Sequence, residues 1–316
     1  MVLNLHALLP ELTLLSCALA MLLLDLFVPE RHKNGVFAFA SSVVLGTVLL
    51  LVAKQGFNLE PVFAFNGFLK KDAMVNITQG FVVLCGLMAV LLSYSYISKF
   101  SLKYRGEYYY TLLFAVFGAL LLVASAEFST LFVSLEVMSI SIYILIALFK
   151  EEVREAESAV KYFITGSVGS AVLVYGLAIL YGVAGSTEYA GVASALRSAG
   201  VSAPVLVAMI LVAAGFLFKT STVPFHAWIP DVYHGAPTPV TAFMGAVVKM
   251  ASFVAFLRLF LPVFYYYTPG EFAPVLLILA VVTMFFGAFM ALNQENLKRL
   301  LAYSAVSHTG VILTAF

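Results

Sequence analysis

Ten apolar runs, most of them about as long as a membrane-crossing helix needs to be, are the feature that most limits how this chain can fold. They lie near residues 5–28, 35–53, 74–98, 108–125, 128–149, 159–183, 204–222, 238–262, 272–292 and 299–316. The bilayer core holds no water to satisfy backbone N–H and C=O groups, so a spanning segment must satisfy them internally, and about 20 apolar residues do so as an α-helix. Of 316 residues, 63% are hydrophobic and 10% are charged, whereas a soluble domain carries about 25% charged residues. The expected fold class is all-α: a polytopic membrane helix bundle of about ten transmembrane helices.

Charge adds direction. Basic residues follow the first run, at Arg31 and Lys33, and none precedes it. That is the reverse of a cleaved signal peptide, so this helix is expected to be retained. Ten basic residues fall in the connections of one side and four, Lys54, Lys70, Lys71 and Arg197, in those of the other. The positive-inside bias then puts the N-terminus on the non-cytoplasmic side. A net charge of +1 offers no basic field for a nucleic-acid partner. Cys17 and Cys85 sit in apolar runs without the paired spacing of a metal or redox site and read as small core residues. No motif binds a flavin, haem, iron–sulfur cluster or nucleotide, so neither cofactor nor metal is expected on this chain.

Glu136, Lys219 and Lys249 are three ionisable residues each set in an apolar stretch long enough to cross a membrane. A charge at mid-bilayer costs about 2.5 to 3.5 kcal/mol on insertion scales, so three of them point to proton or ion movement. An ordinary lysine, with a pKa of about 10.4, keeps its proton, but burial in a low dielectric disfavours the charged form and a nearby carboxylate favours it. A lysine whose carboxylate partner approaches and withdraws could therefore hold and release a proton. Three pK units are worth about 4 kcal/mol, the cost of moving one charge against about 170 mV. At helical spacing Glu136 shares a face with Ser139 and Tyr143, and Lys249 with Thr241, Gly245 and Ser252. The competing reading is a static ion pair and ordinary interhelical hydroxyl contacts.

After Lys219, Pro224, Pro230, Pro237 and Pro239 fall within sixteen residues. Proline removes a backbone donor and clashes with the preceding turn, so the seventh span is expected to break, with a short second helix around residues 226–234. Weaker candidates for a proton relay are His226 and His234 beside the prolines, His308 in the last span, and Lys161 next to Glu155 and Glu157 at the start of the sixth. Asp25, near the end of the first span, reads as an interfacial anchor.

The run Phe218-Lys219-Thr-Ser-Thr-Val-Pro224-Phe-His226-Ala-Trp228-Ile-Pro230-Asp231-Val-Tyr-His-Gly-Ala-Pro237-Thr-Pro239-Val-Thr-Ala-Phe resembles the signature of the antiporter-like subunits of respiratory complex I. Gly-Ala-Val-Val-Lys249-Met-Ala and Asn296-Leu-Lys-Arg-Leu-Leu-Ala-Tyr-Ser-Ala-Val-Ser-His308 are similar to it too. Within that family the chain is most similar to the subunit N branch, because Pro-Thr-Pro-Val is followed by Lys249 without the His-Ala-Ala pattern of the larger sister subunits. The resemblance covers essentially the whole chain. It implies an antiporter-like fold with inverted five-helix repeats and a broken seventh helix, divided as residues 1–107, N-terminal peripheral helices; 108–262, the first proton-channel repeat; and 263–316, the incomplete start of a second repeat, whose own broken helix and terminal charged residue have no match among these 316 residues. It also implies that Glu136, Lys219 and Lys249 carry protons across the cell inner (plasma) membrane. Quinone reduction, flavin and iron–sulfur clusters are then expected on partner subunits of a proton-translocating NADH:quinone oxidoreductase. The alternative is a subunit of a multi-subunit cation/proton antiporter or a membrane-bound hydrogenase.

Overall fold

The computed structural model describes residues 4–56, 60–100, 102–149, 153–200, 202–265 and 269–316. Among them, nine helices have the length and apolarity to cross a membrane. The tenth expected run forms a shorter helix, Leu297–Leu313. The chain divides into two compact units, residues 1–156 with 237–251, and residues 157–236 with 252–316. These units do not follow the division at residues 107 and 262, because the fourth helix packs against the first three and the fifth packs against the fourth.

In the first unit, α1 (Leu9–Leu24) starts with Pro10 in its first turn, where a missing N–H costs nothing. α2 (Glu30–Gln55) begins five residues before the apolar run does. Pro29 sits at its N-cap, and Glu30 pairs with Lys33 at 2.8 Å within the first turn. Lys33 also reaches back to Asp25 at 3.1 Å. Asp25 therefore closes the α1–α2 turn, where the sequence suggested an interfacial anchor, because a lysine one turn into α2 neutralises it.

The connection 54–73 between the second and third runs holds an antiparallel pair, β1 (Val62–Ala64) and β2 (Leu69–Lys71), with Val62 opposite Lys71. Phe65 and Asn66 turn it with positive φ. β2 is tied down where Leu69 bridges Ser125 and Ala126 N–H donates to Phe68 O at 2.9 Å. Three-residue strands with no long alternation leave little trace in a sequence.

α3 (Ala73–Phe100), α4 (Arg105–Ala124) and α5 (Phe128–Ala147) follow. A Cβ on Gly118 would stand 2.4 Å from Met138 N, so α4 and α5 touch backbone to backbone there. The side chain of Glu127 caps α5, accepting from Ser129 N at 3.0 Å and from Thr130 Oγ1 at 2.6 Å. Burial alone would raise this carboxyl, but those hydrogen bonds outweigh it and hold it below the usual carboxylate range. The unit also includes α10 (Thr238–Phe243), a π-helical turn at Met244–Val248, and the first residues of α11 (Lys249–Phe260).

The second unit holds most of α6 (Val153–Ala184), then α7 (Tyr189–Ala199), α8 (Ala203–Thr220), α9 (Ile229–Gly235), the rest of α11, α12 (Pro269–Leu292) and α13 (Leu297–Leu313). α7 is a short amphipathic helix in the connection between the sixth and seventh runs. Gly176 and Gly215 let α6 and α8 close up: a Cβ on the first would meet Val212 N at 2.9 Å and on the second Leu173 Cα at 2.9 Å. Gly287 does the same for α12 against Ser307 of α13. Cys17 and Cys85 are half-buried and are not core residues. Each lies on a helix whose outer face carries exposed apolar residues such as Leu19 and Leu84.

Candidate functional site

Lys219 lies in the last turn of α8 and is 1% exposed. The helix stops just beyond it because Ser221 adopts a left-handed conformation, φ 65° and ψ 39°. The N–H groups of Ser221 and Thr222 turn back onto Phe218 O at 3.1 Å and Leu217 O at 2.9 Å, closing the end in the manner of a Schellman motif. The chain then runs through turns to α9, so the expected break is present. The second helix begins at Ile229 and not near residue 226, with Pro230 in its first turn, where a missing N–H costs nothing.

Backbone groups freed by this break find partners within the second unit. Trp228 Nε1 donates to Phe218 O at 3.3 Å, Thr309 Oγ1 donates to Thr220 O at 3.0 Å, and Val223 N donates to Thr283 Oγ1 at 3.1 Å. Trp228 is stacked against Tyr162 at 4.7 Å and Phe218 at 5.7 Å. Such re-satisfaction is the condition for irregular backbone at membrane depth. It also fixes the carbonyl end of α8, whose partial negative charge favours a cation in the last turn, around Lys219.

Glu136 stands near the middle of α5 and is half-buried, with Ser139 and Tyr143 buried on the same face. Tyr143 lies within electrostatic reach of the Glu136 carboxylate. Lys249 is 7% exposed and directly follows the π-helical turn. Such turns insert about one residue into the helical repeat and recur at functional sites. The stripe read at a regular 3.6-residue period from Thr241 through Gly245 to Lys249 is therefore offset at its centre. Glu136 and Lys249 belong to the first unit, and Lys219 to the second.

The second unit gathers a charged group at its other candidates. Asp231, in the first turn of α9, bonds Lys161 of α6 at 3.0 Å and Arg299 of α13 at 2.8 Å. Lys161 also pairs with Glu157 at 2.7 Å, and Lys298 donates to Ala236 O at 2.9 Å. Burial alone would raise the Asp231 carboxyl, but the two cations outweigh it and hold it below the usual carboxylate range. His226 is half-buried with its ring edge-on to Phe286 at 4.5 Å, and its Nδ1 has no hydrogen-bond partner among the described residues. His234 ends α9 half-buried, and His308 is exposed on α13.

A second buried charge cluster was not expected. In the first unit Glu11, 2% exposed, pairs with Lys71, 4% exposed, and Gln79 joins both: it accepts from Lys71 Nζ at 2.6 Å and donates to Glu11 at 2.7 Å and to Leu120 O at 2.8 Å. The carboxylate inside the first apolar run was the available signal. Its lysine partner sits in what reads as an outer loop, sixty residues away.

Comparison with known proteins agrees with this architecture. The family model "NADH:quinone oxidoreductase/Mrp antiporter, TM" matches residues 125–316, and "NAD(P)H-quinone oxidoreductase subunit 2 N-terminal" matches residues 1–95. The chain is 37% identical over 310 residues to NADH-quinone oxidoreductase subunit N of Thioalkalivibrio sulfidiphilus, covering 96% of this chain and 63% of the relative. It is 39% identical over 319 residues to the subunit N of Trichlorobacter lovleyi, covering 99% and 64%. The chain thus spans less than two thirds of these relatives' length. Among solved structures it is similar to a chain of respiratory complex I from Thermus thermophilus, with a TM-score of 0.79, 30% identity and coverage of 96% and 63%. A chain of the Mrp complex from Dietzia, at 20% identity and a TM-score of 0.84, covering 98% and 58%, shares the fold. The chain belongs to the NADH:quinone oxidoreductase/Mrp antiporter transmembrane family.

Proposed function

We propose that this chain belongs to a proton-translocating membrane subunit of an NADH:quinone oxidoreductase. It spans the cell inner membrane with its N-terminus on the non-cytoplasmic side, and partner subunits carry the flavin, iron–sulfur clusters and quinone. Protons enter from the cytoplasmic side, load Lys219 under the influence of Glu136, and pass to Lys249. The first repeat is built on residues 108–262. Lys161, His226, His234 and His308 are the auxiliary relay candidates.

The observation that carries this reading is the setting of Lys219. It is a nearly inaccessible amine at the carbonyl end of a helix interrupted within an apolar span. The helix end favours the protonated form and burial favours the neutral one. A carboxylate that approaches and withdraws would then decide whether the amine holds its proton.

The test is proton uptake by vesicles containing the full-length protein in its complex. Glu136→Gln, which is nearly isosteric, should lower pumping and coupled quinone reduction while the complex still assembles. Lys249→Ala should stop transfer. Lys249→Arg should restore little, because guanidinium keeps its proton at any accessible pH. Full pumping by the arginine variant would make Lys249 a fixed charge. Co-purification with flavin and iron–sulfur subunits separates this reading from a cation/proton antiporter, the other branch in the family's description.

A further inference from the structure

The two halves of the interrupted span, α8 and α9, rest on one helix, α6. On the α8 side, Phe218 lays its ring over Gly169 of α6, where a Cβ would stand 2.5 Å from Phe218 Cδ1. On the α9 side, the Trp228 indole stacks on Tyr162 of α6 at 4.7 Å. One turn further on, the Asp231 carboxylate takes Lys161 Nζ at 3.0 Å and its carbonyl takes Ser158 Oγ at 3.2 Å. Trp228 also joins the halves to each other. Its ring stacks on that of Phe218 at 5.7 Å and its Nε1 donates to Phe218 O at 3.3 Å. One side chain thus holds both the ring and the backbone of the residue before Lys219.

The Phe218 carbonyl belongs to the planar peptide unit that carries the backbone nitrogen of Lys219. A donor fixed on that carbonyl therefore fixes where the Lys219 backbone stands. The other side chain that donates to a carbonyl of this helix end can turn away: Thr309 Oγ1 lies 3.0 Å from Thr220 O and 2.9 Å from its own Ala305 O. An indole has one N–H, no acceptor and no hydroxyl rotor, and this one is 6% exposed and held by two aromatic rings. We infer that Trp228 is a positioning residue for Lys219, and that its bond to Phe218 O across the break keeps the amine where it can take and pass on a proton. The inference rests on the reading of Lys219 as a proton carrier. Proton transfer is sensitive to such placement, since a shift of about 1 Å in a reacting group can cost about a hundredfold in rate.

Two tryptophan analogues placed at position 228 of the full-length protein in its complex separate the bond from the shape. Benzothienylalanine puts sulfur in place of the N–H with nearly the same outline, and fluorotryptophan keeps the N–H. In vesicles, benzothienylalanine should lower proton uptake and coupled quinone reduction per assembled complex about fivefold, the worth of one hydrogen bond. The KM for quinone and the unfolding temperature should stay at their wild-type values, and fluorotryptophan should keep the wild-type rate. Wild-type turnover with benzothienylalanine would overturn the inference, and so would an equal loss with both analogues. A smaller yield of assembled complex with undiminished turnover per complex would also overturn it, because that is what a purely structural tryptophan gives. Lys219→Ala in the same vesicles tests the underlying reading. Normal pumping by that variant would remove the carrier and its positioning residue together, whereas loss of pumping there with full turnover by the benzothienylalanine protein would remove the positioning role alone.

Discussion

The Glu11–Lys71 pair shows what a single buried charge demands of its surroundings. Glu11 enters an apolar helix only because Lys71 and Gln79 meet it there, and all three are within a few per cent of full burial. Desolvating two charges offsets most of their mutual attraction, so such a pair contributes little net stability, yet removing one member strands the other. Glu11→Leu or Lys71→Met alone should each destabilise the protein by about 3 to 5 kcal/mol, and the double variant by clearly less than their sum. Thermal unfolding of the four proteins in detergent completes the cycle. Strict additivity would show that the two charges do not depend on each other. Lys219 and Lys249 were legible because a lysine inside an apolar run stands out. The partner of Glu11 was not, because a contact between residues 11 and 71 leaves no local spacing to read.

At the scale of elements, the break after α8 rests on Ser221. A non-glycine residue in the left-handed region carries roughly 1 to 2 kcal/mol of backbone strain, and the Ser221 hydroxyl is buried without a hydrogen-bond partner among the described residues. Ser221→Gly should therefore raise the unfolding temperature, and Ser221→Val should lower it, since a β-branched residue tolerates positive φ poorly. Unchanged stability in both would show that the break is held entirely by the bonds from Trp228, Thr309 and Thr283. That the seventh span would break was evident from four prolines within sixteen residues. Where it would break was not, because the stop is set by a serine whose preference for a helix end is weak, in a position that tertiary contacts select. The π-helical turn before Lys249 gave no signal either: Met244-Gly-Ala-Val-Val reads as ordinary helix, and the inserted residue belongs to packing.

Across the molecule, long-range ion pairs join helices distant in sequence. Asp231 binds Lys161, seventy residues before it, and Arg299, sixty-eight residues after it, and so ties α6, α9 and α13 within the second unit. Its carboxyl is held below the unfolded value by those cations, so its stabilising contribution is complete above about pH 3.9 and is lost as the pH falls through the lowered folded value. Acid unfolding followed by tryptophan fluorescence at Trp228, the one tryptophan of the chain, should show this loss. Asp231→Asn should remove that part of the pH dependence and lower stability at neutral pH. With a carboxylate more than a third exposed the effect is screened, and it is expected to be modest. A variant with the same acid profile as wild type would show that the hub is not a structural tie.

The sequence by itself determined that the chain is a helical membrane bundle, where most of its spans run, that the seventh is interrupted, and that Glu136, Lys219 and Lys249 fall within apolar runs. These follow from local composition, since hydrocarbon admits only self-satisfied backbone and proline breaks a helix wherever it falls. Tertiary structure alone decided the hairpin at residues 62–71, the residue at which α8 ends, and the partners of Glu11 and Asp231. Each depends on contacts between residues tens of positions apart, and their energy is realised only once helices have packed.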